Sequence, residues 1–246
     1  MTDFLKASIN KTLSMAGLRM SKIPKDIDPI APFDLLELAV QAALSGDQKN
    51  FYFVQIGAND GIMHDTLNRV IRKFELNGCL IEPMPDVFEQ LVRNYQDQPQ
   101  LQFLNCMITD ELGIQTISRF RRDAPVPAEF YHGLARSDRD YIEGRARQVG
   151  LEDFVETIQC PAMTFADLVA ELPGRDIGLL YIDTEGSDDK IIYSAFAAGV
   201  YPAIINYEWT EMSAARRRAL KLRLLDGGYR FIDVGADTVC LRVDRA

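Results

Sequence analysis

One strand-to-helix junction near the start of the main apolar region restricts the fold of this chain most. The stretch "FYFVQI" (51–56) is followed by "GANDG" (57–61), and apolar residues then recur at the spacing of one helical face. Such a junction is where open α/β sheets bind nucleotide-like ligands, because backbone N–H groups at the helix N-terminus point at the ligand. Gly57 permits the sharp turn, and Gly61 would let the backbone approach a ligand closely.

The rest of the chain alternates between strand and helix patterns. Helix starts are indicated by Pro85, by a Thr164–Asp167 capping box and by Ser213. Strands are predicted at 51–56, 78–82, 101–108, 177–183 and 203–209, with a closing hairpin in 229–243. This order predicts an α/β fold with a parallel, doubly wound sheet, to which the hairpin adds one antiparallel edge strand.

The first 50 residues are predicted to form a helical appendage to a catalytic domain over 51–246. Apolar residues form a helical stripe within 2–18, and 33–44 indicates a second helix. We favour a first helix packed against the main domain. A lid, a dimer contact and a weak membrane-surface anchor remain alternatives.

The overall charge and the cysteine spacing exclude several classes of function. The formal net charge of -9 repels nucleic acid and anionic lipid. The four cysteines have no zinc-like spacing and are predicted to be reduced core residues. No run of 18 apolar residues occurs, so we predict a cytoplasmic protein without a membrane span, and leave homo-oligomerisation open.

The chemistry of the turn favours S-adenosylmethionine (SAM) over a dinucleotide. "GANDG" lacks the G-x-G-x-x-G spacing, and Asp60 disfavours a pyrophosphate, whereas SAM carries a sulfonium and an ammonium with only one carboxylate. Glu82 ends the second strand 21 residues after Gly61, the spacing at which an acid binds ribose hydroxyls. An NAD-dependent oxidoreductase shares this layout and stays as the alternative.

Five segments in order, "FVQIGANDG", "LIEP", "NCMITDELG", "YHGLARSD" and "LLYIDTEGSD", resemble the FkbM family of SAM-dependent methyltransferases. The resemblance covers about 51–242. It implies the class I methyltransferase (Rossmann-like) fold, a mostly parallel sheet of seven strands with helices on both faces. It also implies O-methyl transfer to a hydroxyl of a small molecule, sugar or glycan, with S-adenosylhomocysteine (SAH) as product. Gln55 departs from the acidic residue often found there.

The cofactor site is predicted at the ends of the first four strands. Its candidate residues are Gln55, Gly57, Ala58, Asn59, Gly61, Asp65, Glu82, Pro83, Asn105, Met107 and Asp183. A methyltransferase acting on a nitrogen acceptor remains an alternative. "IDTEGSD" after the fourth strand, however, lacks the polar-Pro-Pro-aromatic loop that holds a planar amino group.

The catalytic candidates are His132, Asp183 and Glu208, because an alcohol acceptor needs a group that removes or guides its proton. Glu185, Arg136 and Tyr131 are candidates for binding the acceptor. The prediction is a site without metal. An Mg²⁺ site at Asp183, Glu185 and Glu208 is an alternative that the sequence leaves open.

The segment 113–160 is predicted to be an irregular, mobile cover over the acceptor site, because charged residues and scattered aromatics replace the regular patterns. Five arginines cluster in it: Arg119, Arg121, Arg122, Arg136 and Arg139. They suggest an acceptor that carries phosphate or carboxylate.

Overall fold

The computed structural model describes residues 34–47, 51–63, 65–127, 129–172, 174 and 176–243. The predicted helix within 2–18 lies outside these residues. None of the described helices is both long and apolar enough to cross a membrane. The four cysteines are reduced and buried.

Seven helices and eleven strands make up the described part of the chain. The helices are α1 (Leu35–Asp47), α2 (Thr66–Phe74), α3 (Pro85–Asn94), α4 (Arg139–Val149), α5 (Phe165–Glu171), α6 (Asp188–Ala197) and α7 (Ala214–Asp226), with 3-10 turns at Glu129–His132 and Glu152–Phe154. The strands are β1 (Tyr52–Ile56), β2 (Asn77–Ile81), β3 (Leu101–Leu104), β4 (Met107–Ile108), β5 (Gly113–Phe120), β6 (Ala135–Arg136), β7 (Val155–Met163), β8 (Ile177–Ile182), β9 (Ile204–Glu208), β10 (Tyr229–Val234) and β11 (Asp237–Arg242).

The main sheet has seven strands in the order β3-β2-β1-β8-β9-β11-β10. All neighbours are parallel except β11, which runs antiparallel to both β9 and β10. Helices α5, α6 and α7 cover one face and α1, α2 and α3 the other. Side chains alternate between these two cores along β1, with Val54 on the first face and Phe53 on the second. The predicted doubly wound sheet with an antiparallel hairpin is confirmed.

The second predicted helix is α1, which begins at Leu35. Its residues Leu36, Ala39 and Val40 are buried in the same core as Phe53. The division of the chain at residue 50 stays a prediction.

The predicted third strand over 101–108 is two strands, because the chain leaves the main sheet at Asn105. The Asn105 side-chain amide donates to the carbonyl oxygens of Glu82 and Pro83, at 2.8 and 3.1 Å. These bonds fix the chain at the sheet edge. Residues after Asn105 then enter a second sheet as β4.

The prediction of an irregular segment over 113–160 is wrong, since most of it is regular structure. A four-stranded sheet in the order β4-β7-β5-β6 forms here, and α4 packs against it. The strand pattern was hidden because the first half of β5 is largely exposed on both faces, so apolar and polar residues do not alternate there.

The second sheet is fastened to α3 by apolar and ionic contacts. Met84 and Val87 share a small buried cluster with Ile117 of β5. The Arg119 guanidinium donates to Asp86 at the start of α3 at 2.8 Å, and to Glu156 of β7 at the same distance. These contacts hold the second sheet against the start of α3, beside the main sheet. Whether this part of the chain moves as a cover stays a prediction.

We predict that Phe120→Ala lowers the free energy of unfolding by about 3–5 kcal/mol, the cost of a large cavity in a packed core. Phe120 is fully buried, with its ring edge-on to Tyr131 at 5.4 Å. Urea denaturation measures the change. Thr116→Ala, at an exposed position of the same strand, is the control and should change stability by less than about 0.5 kcal/mol. If Phe120→Ala instead unfolded in two steps, with one transition at a lower urea concentration, the second sheet would unfold independently of the main sheet. That result would favour the predicted mobile cover.

Candidate active site

The glycine turn after β1 lies between the ends of β2 and β8. The backbone N–H groups of Gly57 and Ala58 both donate to the carbonyl oxygen of Ile81 at 3.0 Å. Gly57 has a φ of 82°, and a Cβ atom there would lie 1.8 Å from the carbonyl oxygen of Asp183. Only glycine fits this position.

Gly61 serves packing inside the protein. Its φ is 73°, and a Cβ atom there would lie 2.4 Å from the Tyr95 ring. The Asn68 amide donates to its carbonyl oxygen at 2.6 Å. Gly61 lines neither of the two cavities described below, so its lack of a side chain makes room for α3.

Glu82 joins the turn to the start of α3. One carboxylate oxygen accepts the backbone N–H of Asn59 and the other that of Met84, both at 2.9 Å. The residue is 6% exposed, and burial raises its pKa to about 7, although these two hydrogen bonds lower it. The carboxylate is thus held in one orientation at the end of β2.

A cavity of about 380 Å³ separates the two sheets. Predicted site residues that line it are Gly57, Asn59, Glu82, Pro83, Met107, His132, Arg136, Asp183 and Glu185. The sequence analysis missed others, notably Met84, Gln115, Ile117, Ser137, Ser187 and Lys190. Ser187 and Lys190 come four and seven residues after the predicted strand end at Asp183, so their position could have identified them. Gln115 and Ile117 belong to the second sheet, which no motif indicated.

A second cavity of about 110 Å³ continues from the first, and Gly57, Asn59, Asp183 and Glu185 line both. Gln55, Ala58 and Asp65 line only the smaller one. Gln55 Oε1 and Asp65 Oδ2 are buried there with no hydrogen-bond partner among the described residues. The other Asp65 oxygen caps α2 by accepting the Leu67 N–H at 2.8 Å. Burial raises the pKa of Asp65, and a hydrogen bond with the Gln55 side chain partly offsets this increase.

Carboxylates gather where β8 and β9 end. Asp183 lines both cavities, and protein surrounds it on most sides. Burial raises its pKa well above the usual value, and the negative charges of Asp188, Glu185 and Glu208 raise it further. Burial and Glu208 raise the pKa of Glu185 to about 7. Glu185 also has a φ of 54°, rare for a residue with a side chain. Both groups therefore hold protons more tightly than isolated carboxylates do.

Asp188 ties these two strand ends together. It is completely buried, and one oxygen accepts the Thr184 hydroxyl at 2.8 Å while the other accepts the Glu208 backbone N–H at 3.1 Å. Glu208 itself accepts the Thr210 hydroxyl and lines neither cavity. Among the described residues, no group of three or more His, Cys, Asp or Glu is arranged to hold a metal ion.

The catalytic candidate His132 and the predicted acceptor-binding residues Arg136 and Tyr131 divide between the cavity and a core. His132 lines the larger cavity, and its Nε2 is buried without a hydrogen-bond partner in the described part of the chain. The Arg136 guanidinium stacks on the Tyr141 ring at 3.9 Å and donates to Glu211 at 3.0 Å. Tyr131 packs in the core under the second sheet and lines neither cavity.

The arginine cluster is a set of ion pairs. Besides Arg119 and Arg136, the pairs are Arg121 with Asp123, Arg122 with Asp86 and Arg139 with Glu143. Each cation is compensated by the chain's own carboxylates. The cluster therefore gives no support to an acceptor that carries phosphate or carboxylate.

Structural comparison finds remote likenesses, with TM-scores below 0.5. An O-methyltransferase from Bacillus cereus in complex with SAH has a TM-score of 0.45 at 9% identity, covering 99% of this chain and 92% of that one. A protein from Corynebacterium glutamicum has 0.44 at 12%, covering 100% and 92%. The fibrillarin pre-rRNA processing protein of Methanococcus jannaschii has 0.39 at 11%, covering 78% and 65%.

Sequence comparison is more specific. No curated protein matches the chain significantly. The model of the methyltransferase FkbM domain matches residues 55–231, which include the glycine turn, Glu82, the second sheet and the carboxylates after β8. The match spans well over half of the sequence, and the chain therefore belongs to the FkbM family of SAM-dependent methyltransferases.

Proposed function

We propose that this methyltransferase acts on a hydroxyl group of a small-molecule, sugar or glycan acceptor. The observation that carries the proposal is that Glu82 and three proton-accepting groups, His132, Asp183 and Glu185, line a single cavity. A hydroxyl must give up its proton as its oxygen attacks the methyl carbon. The net charge of -9 supports an acceptor other than nucleic acid.

When bound, SAM supplies an electrophilic methyl carbon and leaves as SAH. In a transfer to a hydroxyl, the acceptor oxygen would form a bond to this carbon while the carbon–sulfur bond breaks and its electron pair returns to sulfur. The hydroxyl proton would pass to a protein base. What the chain must provide is alignment of the two reactants and a place for that proton.

The Glu82 carboxylate suits the ribose of the cofactor. A carboxylate has about four lone-pair positions. Two of them accept the N–H groups of Asn59 and Met84, which leaves capacity for two hydroxyl protons. Pro83 and Met107 lie on the same cavity wall and offer apolar contacts to the adenine.

The smaller cavity suits the amino acid end of the cofactor. Gln55 Oε1 and Asp65 Oδ2 are acceptor atoms that the described residues leave unpaired, and burial without a hydrogen bond is costly. An ammonium group offers three donors and a positive charge. Glutamine at position 55 is thus compatible with the cofactor, because its side-chain carbonyl oxygen can accept a hydrogen bond from the ammonium group, as a carboxylate at this position would.

His132 is the base that we favour. His132 lines the larger cavity, and its Nε2 is buried without a protein partner among the described residues. Glu185 is the rival, since its pKa of about 7 suits proton transfer at neutral pH. Asp183 lies at the junction of the two cavities, where it can offset the positive charge of the sulfonium.

We predict that Glu82→Ala weakens SAH binding by about 1.5–3 kcal/mol, the range for hydrogen bonds to a charged group. Calorimetry with SAH and its 2′-deoxy analogue separates ribose binding from support of the turn. The wild-type protein should discriminate between the two ligands, and Glu82→Ala should not. Glu89→Ala, an exposed carboxylate on α3, is the control. If the wild-type protein and Glu82→Ala discriminated equally between SAH and its 2′-deoxy analogue, Glu82 would not bind the ribose.

A transfer assay tests the acceptor and the base together. SAM with an isotopically labelled methyl group is incubated with the protein and an extract of small molecules and glycans. We expect the label in a methyl ether, which resists the mild alkali that cleaves a methyl ester. Label found only in methylamines or methyl esters would contradict the proposed hydroxyl acceptor.

In the same assay, His132→Ala should lower turnover by about 10²–10⁴-fold while SAH affinity is retained, because the lost step is proton transfer. Glu185→Gln should have a smaller effect. Near-normal turnover of His132→Ala together with a severe loss in Glu185→Gln would assign the base to Glu185 instead.

A further inference from the structure

One face of α6 forms part of the wall of the larger cavity. The residues of this helix and its N-cap that line the cavity are Ser187, Lys190, Ile191 and Ser194. Steps of three and four residues place side chains on one side of a helix. From the second sheet, alternate residues of β5 line the same cavity: Gln115, Ile117 and Arg119. Side chains of α6 and β5 therefore reach the same space.

Lys190 is the cation of this wall that the chain does not neutralise. The other two Lys or Arg side chains among the described residues that line the cavity, Arg119 and Arg136, are held by carboxylates of the chain. The Lys190 ammonium forms no ion pair and no hydrogen bond with the described part of the chain, and the residue is exposed. Its charge is therefore available to a ligand that enters the cavity.

The two acidic residues directly before Lys190 are engaged elsewhere. Asp188 is completely buried and accepts hydrogen bonds from the loop after β8 and from β9. Asp189 is also buried and pairs with Arg216 of α7. The proximity of Lys190 to these carboxylates in the sequence therefore does not produce an ion pair on α6.

Two further carboxylates, Asp110 and Glu111 on the turn between β4 and β5, also line the cavity. Asp110 accepts the Ser194 hydroxyl at 3.4 Å, which places it about one helical turn along α6 from Lys190. It forms no ion pair with Lys190 within the described residues. A negative charge at Asp110 opposes an anion bound at Lys190, and it would favour a cation instead. Neutralising Asp110 therefore distinguishes the two kinds of ligand.

We propose that Lys190 determines acceptor specificity by binding an anionic group, a carboxylate or a phosphate, of the molecule whose hydroxyl is methylated. This inference rests on the proposed hydroxyl methylation. An ammonium offers three donors to such a group. The Ser187 hydroxyl and the Gln115 side-chain amide have no hydrogen-bond partner in the described part of the chain and add further donors. Lys190 thus supplies the positive charge that the paired arginines of the second sheet do not.

Phosphate binding to the SAH-loaded protein tests the site without turnover. In an NMR spectrum of ¹³C-labelled lysine side chains, the signal missing from Lys190→Gln belongs to Lys190. On titration with inorganic phosphate this signal should shift at concentrations about tenfold lower than the other lysine signals do, because charge and neighbouring donors act together. Asp110→Asn should lower the required concentration further. A Lys190 signal that shifts no earlier than the others would overturn the inference.

The labelled-methyl transfer assay tests the same site during turnover. Methyl ethers formed from the extract should be retained by an anion exchanger at about pH 7, where carboxylates and phosphates are ionised. Phosphatase treatment then distinguishes the two groups, because it abolishes the retention of a phosphate monoester and leaves that of a carboxylate.

With the retained acceptor, Lys190→Gln should raise KM about 10–100-fold with kcat nearly unchanged, because a hydrogen bond to a charged group is lost from binding. Lys190→Arg keeps the charge and should retain most of the affinity, and Asp110→Asn should lower KM. Arg218→Gln is the matched control. It removes the same charge from an exposed position of α7 that lines neither cavity, and KM should not change.

The failure of this inference differs from the failure of the proposed function. Labelled methyl ethers that pass through the exchanger, or an unchanged KM in Lys190→Gln, would overturn the anion site and leave hydroxyl methylation standing. A higher KM in Asp110→Asn would assign this part of the cavity to a cationic group and would also overturn it. Label only in methylamines or methyl esters would overturn the proposed function and this inference with it.

Discussion

The carboxylate of Glu82 accepts one backbone N–H from the turn after β1 and another from the start of α3, and the site is organised around this double contact. Through Asn59 it fixes the glycine turn, which lies close against Asp183. Through Met84 it fixes the start of α3, where Asp86 holds Arg119 of the second sheet. One buried side chain thus helps to position three parts of the cavity wall: the glycine turn, the start of α3 and the second sheet.

The electrostatics of the site follow from crowding several carboxylates around the end of β8. Burial and mutual repulsion raise the pKa values of Asp183, Glu185 and Asp188. Asp188 is compensated by its two hydrogen bonds and keeps the loop after β8 joined to β9. Asp183 and Glu185 face the cavities, where a cationic cofactor relieves the repulsion between them. A positively charged methyl donor therefore suits this site better than a pyrophosphate.

The main sheet could be predicted from the sequence because its strands are continuous apolar runs and its helices carry clear caps, as at Thr164 and Ser213. The glycine turn and Glu82 were recognisable because spacing along the chain fixes their place at the sheet edge. The second sheet could not be recognised from the sequence, because β5 is partly exposed on both faces and its partner β7 begins 35 residues after β5 ends. Gly61 fits a packing role that spacing cannot distinguish from ligand contact. The pairing of the arginines likewise depends on residues distant in sequence, such as Asp86 with Arg119.

A crystal structure of the protein with SAH bound tests most directly whether these groups hold the cofactor. We predict that both ribose hydroxyls lie within about 3.2 Å of the Glu82 carboxylate, the limit of a normal hydrogen bond. The ammonium group should lie in the smaller cavity, between Gln55 Oε1 and Asp65 Oδ2. A ribose bound away from Glu82, or an amino acid end directed towards β5 of the second sheet, would contradict this assignment.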